Sequence, residues 1–206
     1  MQVLALLLLL SAFLLMRANR LASAVHILLV QSAIVAAVCV MEGTASIHML
    51  VAAILTIVIK VGIIPYALLR VVKLLRHERE VNPILGPNAS SLVAAATIVL
   101  AYALIDRTLP AVLGWETLAV SLSLVLIGLL LITTRHQAIM QIVGLITMEN
   151  GLYLIGLSTT HGLPLIIELG IFFDVLVAVS VLVILTYRLK KSFQSTDTSI
   201  LKKLKG

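Results

Sequence analysis

The sequence contains little cysteine, charge or aromatic side chain. Its one cysteine, Cys39, lies in an apolar segment of the 206-residue chain, so a single copy has no internal disulfide and no cysteine-ligated metal cluster of its own. Charged residues make up only 12% of the chain and hydrophobic residues 61%, which is far more apolar than a soluble domain allows. The sequence also has no glycine-rich phosphate loop, no paired Cys or His at metal-ligand spacing and no Ser-His-Asp set. It therefore predicts a membrane protein with no catalytic, cofactor-binding or metal site of its own.

The apolar residues form unbroken runs of about twenty positions, the length that a membrane-spanning helix requires. We therefore predict an all-α, polytopic transmembrane protein. About seven spans are expected, at residues 1–16, 21–41, 47–75, 89–105, 115–134, 138–158 and 164–187. The first run could also be a signal peptide, but no positive residue precedes its apolar core, so we interpret it as a short span ending at Arg17 and Arg20.

The polar break at residues 76–88, with two prolines and a glycine, divides the sequence into two halves. We predict a three-helix membrane segment in residues 1–80, and a polar linker with the fourth span in residues 81–114. A second three-helix segment follows in residues 115–191. Residues 192–206 form a basic tail, interpreted either as a surface helix on anionic lipid or a cytoplasmic partner, or as a solvated end.

If the chain has seven spans, nearly all of its basic residues lie on one side of the membrane. All but two of the fifteen Lys and Arg then fall on one side; Arg107 lies on the other side and Lys60 within a span. Cytoplasmic loops carry the excess of positive charge, so we predict a multi-pass protein of the cell inner membrane with an outer amino terminus and a cytoplasmic carboxyl terminus. The basic balance is thus explained by topology and does not indicate nucleic acid binding.

Two acids, Glu149 and Asp174, stand near the middle of consecutive spans. An ionised side chain at the bilayer centre costs about 2.5 to 3.5 kcal/mol on insertion scales, and such groups are functional by default. We predict that these carboxyls carry protons or organise their passage; the alternative is a structural carboxyl bonded to another helix. Tyr153, one turn after Glu149, shares its face. Glu168 is expected nearer the outer surface, as an entry or exit group or as a helix-dipole partner.

Lys60 is the one lysine or arginine near the middle of a span, and Pro65 follows it five residues later. Proline removes a backbone donor and crowds the preceding turn, so we predict a kink beside the lysine that admits water. The lysine either takes part in proton movement or extends toward the cytoplasmic surface. His26, with Gln31 in the same span, is a candidate proton relay or a merely hydrogen-bonded histidine. Gly144 and Gly151 lie on one stripe where a neighbouring helix can approach.

Residues 115–191 resemble the small NuoK-type subunit of respiratory complex I. The likeness consists of a helix, a helix with a central acid (VGLITMENGLYLIGL), and a helix with a second acid running into a basic end (FFDVLVAVSVLVILTYRLKK). With the added amino-terminal spans, including IVIKVGIIPYALLR, the chain resembles component E of the hydrogenase-four type, found in group 4 hydrogenase and formate hydrogenlyase complexes.

The resemblance implies a non-catalytic subunit of an oxidoreductase complex, placed among antiporter-like and quinone-site-like membrane subunits and only indirectly joined to the hydrogenase arm. Glu149 matches the first helix acid of the NuoK-type axis and Asp174 the second, which is usually glutamate. Lys60 has no counterpart in the short NuoK-type subunit. With Glu168, these residues are expected on a proton or sodium path. The alternatives are an assembly scaffold, or a NuoK-like subunit of a multi-chain cation/proton antiporter.

Overall fold

The computed structural model describes residues 2–42, 54, 57–74, 84–108, 114–160, 170, 176–177 and 180–181. Every regular element in these ranges is a helix, which confirms the predicted all-α membrane fold. The elements are α1 (Gln2–Arg17), α2 (Leu21–Glu42), a π-helix (Ile57–Ile63), α3 (Ile64–Leu74), α4 (Pro87–Thr108), α5 (Trp115–Thr134) and α6 (Ala138–Thr160).

Four segments in the described part are long and apolar enough to cross a membrane: Leu21–Val38, Pro87–Thr108, Trp115–Thr134 and Ala138–Gly156. Helix α1 is equally apolar but, with 16 residues, reaches only about 24 Å. Most of residues 47–56 at the start of the predicted third span, most of the seventh span and the whole tail lie outside the described residues. The count of seven spans, the division into segments and the absolute orientation of the chain stay predictions.

Helices α5 and α6 form a hairpin whose backbones touch. A Cβ atom added to Gly128 of α5 would lie 2.5 Å from the Met148 nitrogen and 2.6 Å from the Gly144 oxygen. A Cβ atom on Gly151 would lie 2.7 Å from the Ser121 oxygen. Any side chain at these positions would push the helices apart, since membrane helices approach this closely only through small residues. The predicted role of Gly144 and Gly151 is confirmed.

Both sequence halves contribute to one hydrophobic core around this hairpin. Helix α1 packs on α2, α4 and α5, while α2 packs on α6, on α3 and on the π-helix. The buried core includes Leu15 of α1, Leu28 of α2, Leu124 of α5 and Ile146 of α6. Helix α4 lies at the edge and leaves large apolar side chains such as Leu92 and Val99 exposed, as expected for a helix that faces lipid or a partner.

One end of the bundle is held together by Arg135, which follows α5. Its side chain is buried and its Nη2 donates to the backbone carbonyl of Met16 near the end of α1. The backbone N–H of Ile84 donates to the Thr134 carbonyl at 3.4 Å, just before α4 begins. The end of α1, the start of α4 and the end of α5 therefore share one side of the molecule, in agreement with the predicted segregation of basic residues.

The variant Arg135→Met is expected to unfold more readily than the parent chain, because the Met16 carbonyl loses a charged donor in a buried place. Hydrogen bonds to charged groups contribute about 1.5 to 3 kcal/mol. Arg107→Met is the control, because Arg107 is exposed at the end of α4. Thermal unfolding in mild detergent measures both, and equal midpoints for the two variants would contradict the anchoring role of Arg135.

Candidate functional site

A π-helix presents Lys60 to the interior. Proline has no N–H to donate, and Pro65 is the second residue of α3, so a regular α-helical bond from position 65 to the Val61 carbonyl is impossible. The seven residues Ile57–Ile63 before it adopt the wider π-helical winding. Where a kink was predicted beside Lys60, the structure has a π-helix, an element often found at functional sites.

The ammonium group of Lys60 forms an ion pair with Glu149. Lys60 Nζ lies 3.0 Å from Glu149 Oε1, and the two residues are only 2% and 6% exposed. Glu149 is the middle residue of the 23-residue helix α6, so the pair lies at mid-depth. Lys60 therefore points into the bundle and does not extend toward a surface. Because each charge would be costly to bury alone, each is the other's compensating group.

Two amide side chains extend the pair across the bundle. Lys60 Nζ donates to Asn150 Oδ1 at 3.3 Å, and Asn150 Nδ2 donates to Gln31 Oε1, also at 3.3 Å. Both amide residues are fully buried. An ammonium group only donates, so Asn150 must accept with its oxygen and donate with its nitrogen, which in turn fixes the orientation of Gln31. We call Gln31, Lys60, Glu149 and Asn150 the Lys60 cluster; it joins the π-helix, α6 and α2.

Of the other predicted site residues, the structure describes Tyr153 and His26. Tyr153 is buried one turn after Glu149, and its ring lies 3.5 Å from where a Cβ atom on Gly170 would stand. His26 lies on an exposed face of α2, with Nδ1 2.6 Å from the Ala22 carbonyl, and so it is not among the buried groups of the cluster. Asp174 and Glu168 lie outside the described residues, and their roles stay predictions.

Sequence reasoning overlooked Asn150 and considered Gln31 only as a companion of His26. Both are polar residues in the middle of apolar runs, so the argument from burial cost that singled out Glu149 applies to them as well. What the sequence does not provide is the rotation of α2 and α6 that turns these amides toward each other and away from His26.

Among the described residues, no group of three or more His, Cys, Asp or Glu side chains could hold a metal ion. The cluster instead combines one ammonium group, one carboxylate and two amides at hydrogen-bonding distances. Chemically, such a set can hold a proton at either Lys60 or Glu149 without changing its net charge.

The chain matches several curated proteins over part of its length. It is 35% identical over 130 residues to an uncharacterized protein of Mycobacterium tuberculosis, covering 62% of this chain and 59% of that protein. It is 34% identical over 123 residues to hydrogenase-4 component E of Escherichia coli strain K12 and of Shigella flexneri, covering 59% of this chain and 57% of those proteins. The chain thus spans less than two thirds of the length of these relatives.

No protein-family model and no solved structure matches the chain. The component E proteins of Escherichia coli and Shigella flexneri align with the same share of this chain, at the same identity. The predicted resemblance to hydrogenase-4 component E is therefore confirmed over about three fifths of the chain.

Proposed function

We propose that this protein is a non-catalytic membrane subunit of a hydrogenase-4-like complex related to complex I, and that the Lys60 cluster belongs to its proton path. The homology to hydrogenase-4 component E and the four membrane-length helices support the first part. The observation that carries the second part is the buried Lys60–Glu149 pair at mid-depth, with its atoms 3.0 Å apart.

The geometry of the pair suits direct proton transfer. At this distance a proton on Lys60 Nζ can pass to Glu149 Oε1, which converts ammonium and carboxylate into neutral amine and neutral acid. The acid then releases its proton to the next carrier, and the amine takes one from the preceding carrier, which restores the starting pair. The transfer within the pair leaves its net charge at zero, so it avoids isolating a charge in a dry interior.

Asn150 has a positioning role in this scheme. Its oxygen accepts from Lys60, and its own amide is held by Gln31 on α2. An amide neither gains nor loses a proton near neutral pH, so Asn150 holds the lysine in place without competing for the transferred proton. The π-helix, whose winding is interrupted by Pro65, sets the direction from which Lys60 enters.

A proton is a better candidate for the transported ion than sodium. Sodium prefers several oxygen ligands and is repelled by a neighbouring ammonium group. The cluster offers a single carboxylate, already 3.0 Å from Lys60 Nζ. We assign Tyr153, Asp174 and Glu168 to later steps of the route on their sequence positions, with antiporter-like and quinone-site-like subunits as the neighbours that receive or supply the proton.

A structural role is the second candidate, and the same cluster favours it. The ion pair and the two amide bonds link the π-helix, α6 and α2, as buried polar groups do when they fix one arrangement of helices. On this reading the protein is an assembly scaffold whose acids join helices and carry no protons.

The test uses the tagged full-length chain in its native membrane. Gentle purification is expected to recover hydrogenase and antiporter-like subunits together with it; recovery of cation/proton antiporter subunits without a hydrogenase would reject the proposed complex. The variant Glu149→Gln is expected to lower proton movement in inverted vesicles by at least about tenfold, while hydrogenase activity with an artificial dye is retained. Unchanged proton movement would reject the transport role. Loss of the assembled complex would favour the scaffold only if the double variant Lys60→Met/Glu149→Gln restores assembly and proton movement together.

A further inference from the structure

The turn between α1 and α2 forms an open groove with a basic rim. The groove has a volume of about 410 Å³ and is lined by Leu14, Arg17, Asn19, Arg20, Ser23 and Ile27 among others. It lies at the end of the bundle where Arg135 contacts Met16, on α1 and α2, which carry neither member of the Lys60–Glu149 pair. The Lys60 cluster uses none of its residues, so the groove is separate from the proposed proton path.

The electrostatics of the groove favour an anion. Arg17 and Arg20 are both exposed there, and no acidic side chain is among the lining residues. Helix α2 begins at Leu21 with no acid in its first turn, so the positive end of its dipole is directed at the groove without compensation from that turn. The buried guanidinium of Arg135, bonded to Met16, adds positive charge beside the turn.

The walls of the groove match the layers of a membrane. Arg17 ends one apolar helix and Arg20 immediately precedes another, which places the turn at headgroup level. Leu14 and Ile27 stand three and seven residues from these arginines, about 5 to 10 Å further along their helices. They offer apolar contact at the depth where acyl chains begin, which a free phosphate ion would not use.

Asn19 adds a hydrogen-bonding requirement. Asn19 lines the groove, and its Oδ1 atom is closed off from solvent and has no hydrogen-bond partner among the described residues. An amide oxygen accepts hydrogen bonds, so the matching ligand carries a donor such as a hydroxyl group near its phosphate. A glycerol headgroup provides this donor, whereas phosphatidic acid has no headgroup hydroxyl beyond its phosphate.

We propose that this groove binds the headgroup of an anionic phospholipid of the phosphatidylglycerol kind. Arg17 and Arg20 contact the phosphate, Asn19 turns its Oδ1 atom toward the groove to accept from the headgroup hydroxyl, and Leu14 and Ile27 contact the upper acyl chains. The site would hold one lipid at the seam between α1 and α2, close to the Arg135 anchor.

Native mass spectrometry of the full chain, with phosphatidylglycerol or phosphatidylcholine of matched acyl chains, tests the proposal. The double variant Arg17→Gln/Arg20→Gln is expected to bind phosphatidylglycerol roughly 25-fold more weakly, since each basic residue near an anionic surface contributes about fivefold. Lys73→Gln/Arg107→Gln removes the same charge from exposed positions elsewhere and is expected to leave binding unchanged. Equal loss in the control, or unchanged binding in the first variant, would overturn the site.

Two further measurements identify the ligand. Asn19→Leu is expected to abolish the preference for phosphatidylglycerol over phosphatidic acid while leaving phosphatidic acid binding intact; a preference that persists would overturn the assignment, even if the double arginine variant fails to fold. Arg17→Lys/Arg20→Lys is expected to retain most of the binding. Equal affinity for phosphatidylcholine, or displacement of the lipid by millimolar inorganic phosphate, would show that the groove does not select an anionic lipid.

Discussion

The double variant Lys60→Met/Glu149→Gln is expected to be more stable than either single variant. Lys60→Met leaves the Glu149 carboxylate without its ammonium group, and Glu149→Gln leaves the ammonium group without its carboxylate, in a site where both residues are buried. Breaking a buried pair costs about 3 to 5 kcal/mol because it leaves one uncompensated charge, whereas removing both charges leaves none and costs less. Thermal unfolding in mild detergent measures the three variants against the parent.

The exposed residues Lys73 and Glu116 provide the controls. Lys73→Met and Glu116→Gln remove the same charges from the surface and are expected to shift stability by about 0.5 kcal/mol or less. Additive losses in the Lys60/Glu149 double variant would contradict the coupling of the two side chains.

The same double variant separates the two candidate functions. If the cluster is only a scaffold, it needs no more than a well-packed, neutral junction between the π-helix and α6. The double variant would then recover assembly and every activity of the complex together with stability. A proton path needs groups that gain and lose protons, which methionine and glutamine do not provide. We therefore expect an assembled complex with restored stability but with proton movement as low as in Glu149→Gln alone. Recovery of proton movement would exclude the pair from the path.

Gly128→Ala is expected to lower the stability of the protein by about 1 to 3 kcal/mol or more, the usual range for overpacking. The added methyl group would lie 2.5 Å from the Met148 nitrogen and 2.6 Å from the Gly144 oxygen. Both neighbours are backbone atoms, which cannot turn away as a flexible side chain can, so α5 and α6 must separate. Thermal unfolding and recovery of the folded chain in detergent measure the effect.

Gly62→Ala is the matched control, since Gly62 is also helical and its added Cβ would lie 3.9 Å from the nearest atom, the Ile57 oxygen. It is expected to unfold like the parent or later, because alanine favours helix over glycine. Gly144→Ala should destabilise like Gly128→Ala, with a combined effect smaller than the sum, because both residues form the same contact. A Gly128→Ala variant as stable as Gly62→Ala would show that the helices are not in backbone contact.

The helix positions followed well from the sequence. The predicted fifth span, 115–134, coincides with α5, and the second, 21–41, ends one residue before α2 does. Apolar runs flanked by charged or turn-forming residues determine where a chain enters and leaves a membrane, so these bounds depend on local composition alone. The glycine stripe of α6 was likewise predictable, because a seven-residue spacing keeps glycines on one face.

Which residues come together in the site was harder to predict from the sequence. Burial cost identified Glu149 and Lys60 separately, but their pairing depends on how far each helix is rotated about its axis. Helices that are apolar on all sides give little sign of that rotation. The same limit explains His26, which was considered beside Gln31 although the structure exposes it. It also explains why Gly128 was not predicted, since its contact with α6 depends on how the two neighbouring helices are rotated toward each other.

The hydrogen-bonded side chains of Asn150 and Gln31 form the end of the cluster on its α2 side. From Lys60 the hydrogen bonds run through Asn150 to Gln31 on α2, and neither amide can accept a proton on one side and release it on the other as water does. If the pair carries protons as proposed, this branch conducts none of them toward α2, and protons must reach or leave Lys60 and Glu149 from other directions. On that proposal, Asn150 and Gln31, whose amides do not change protonation, separate the proton-carrying pair from α2.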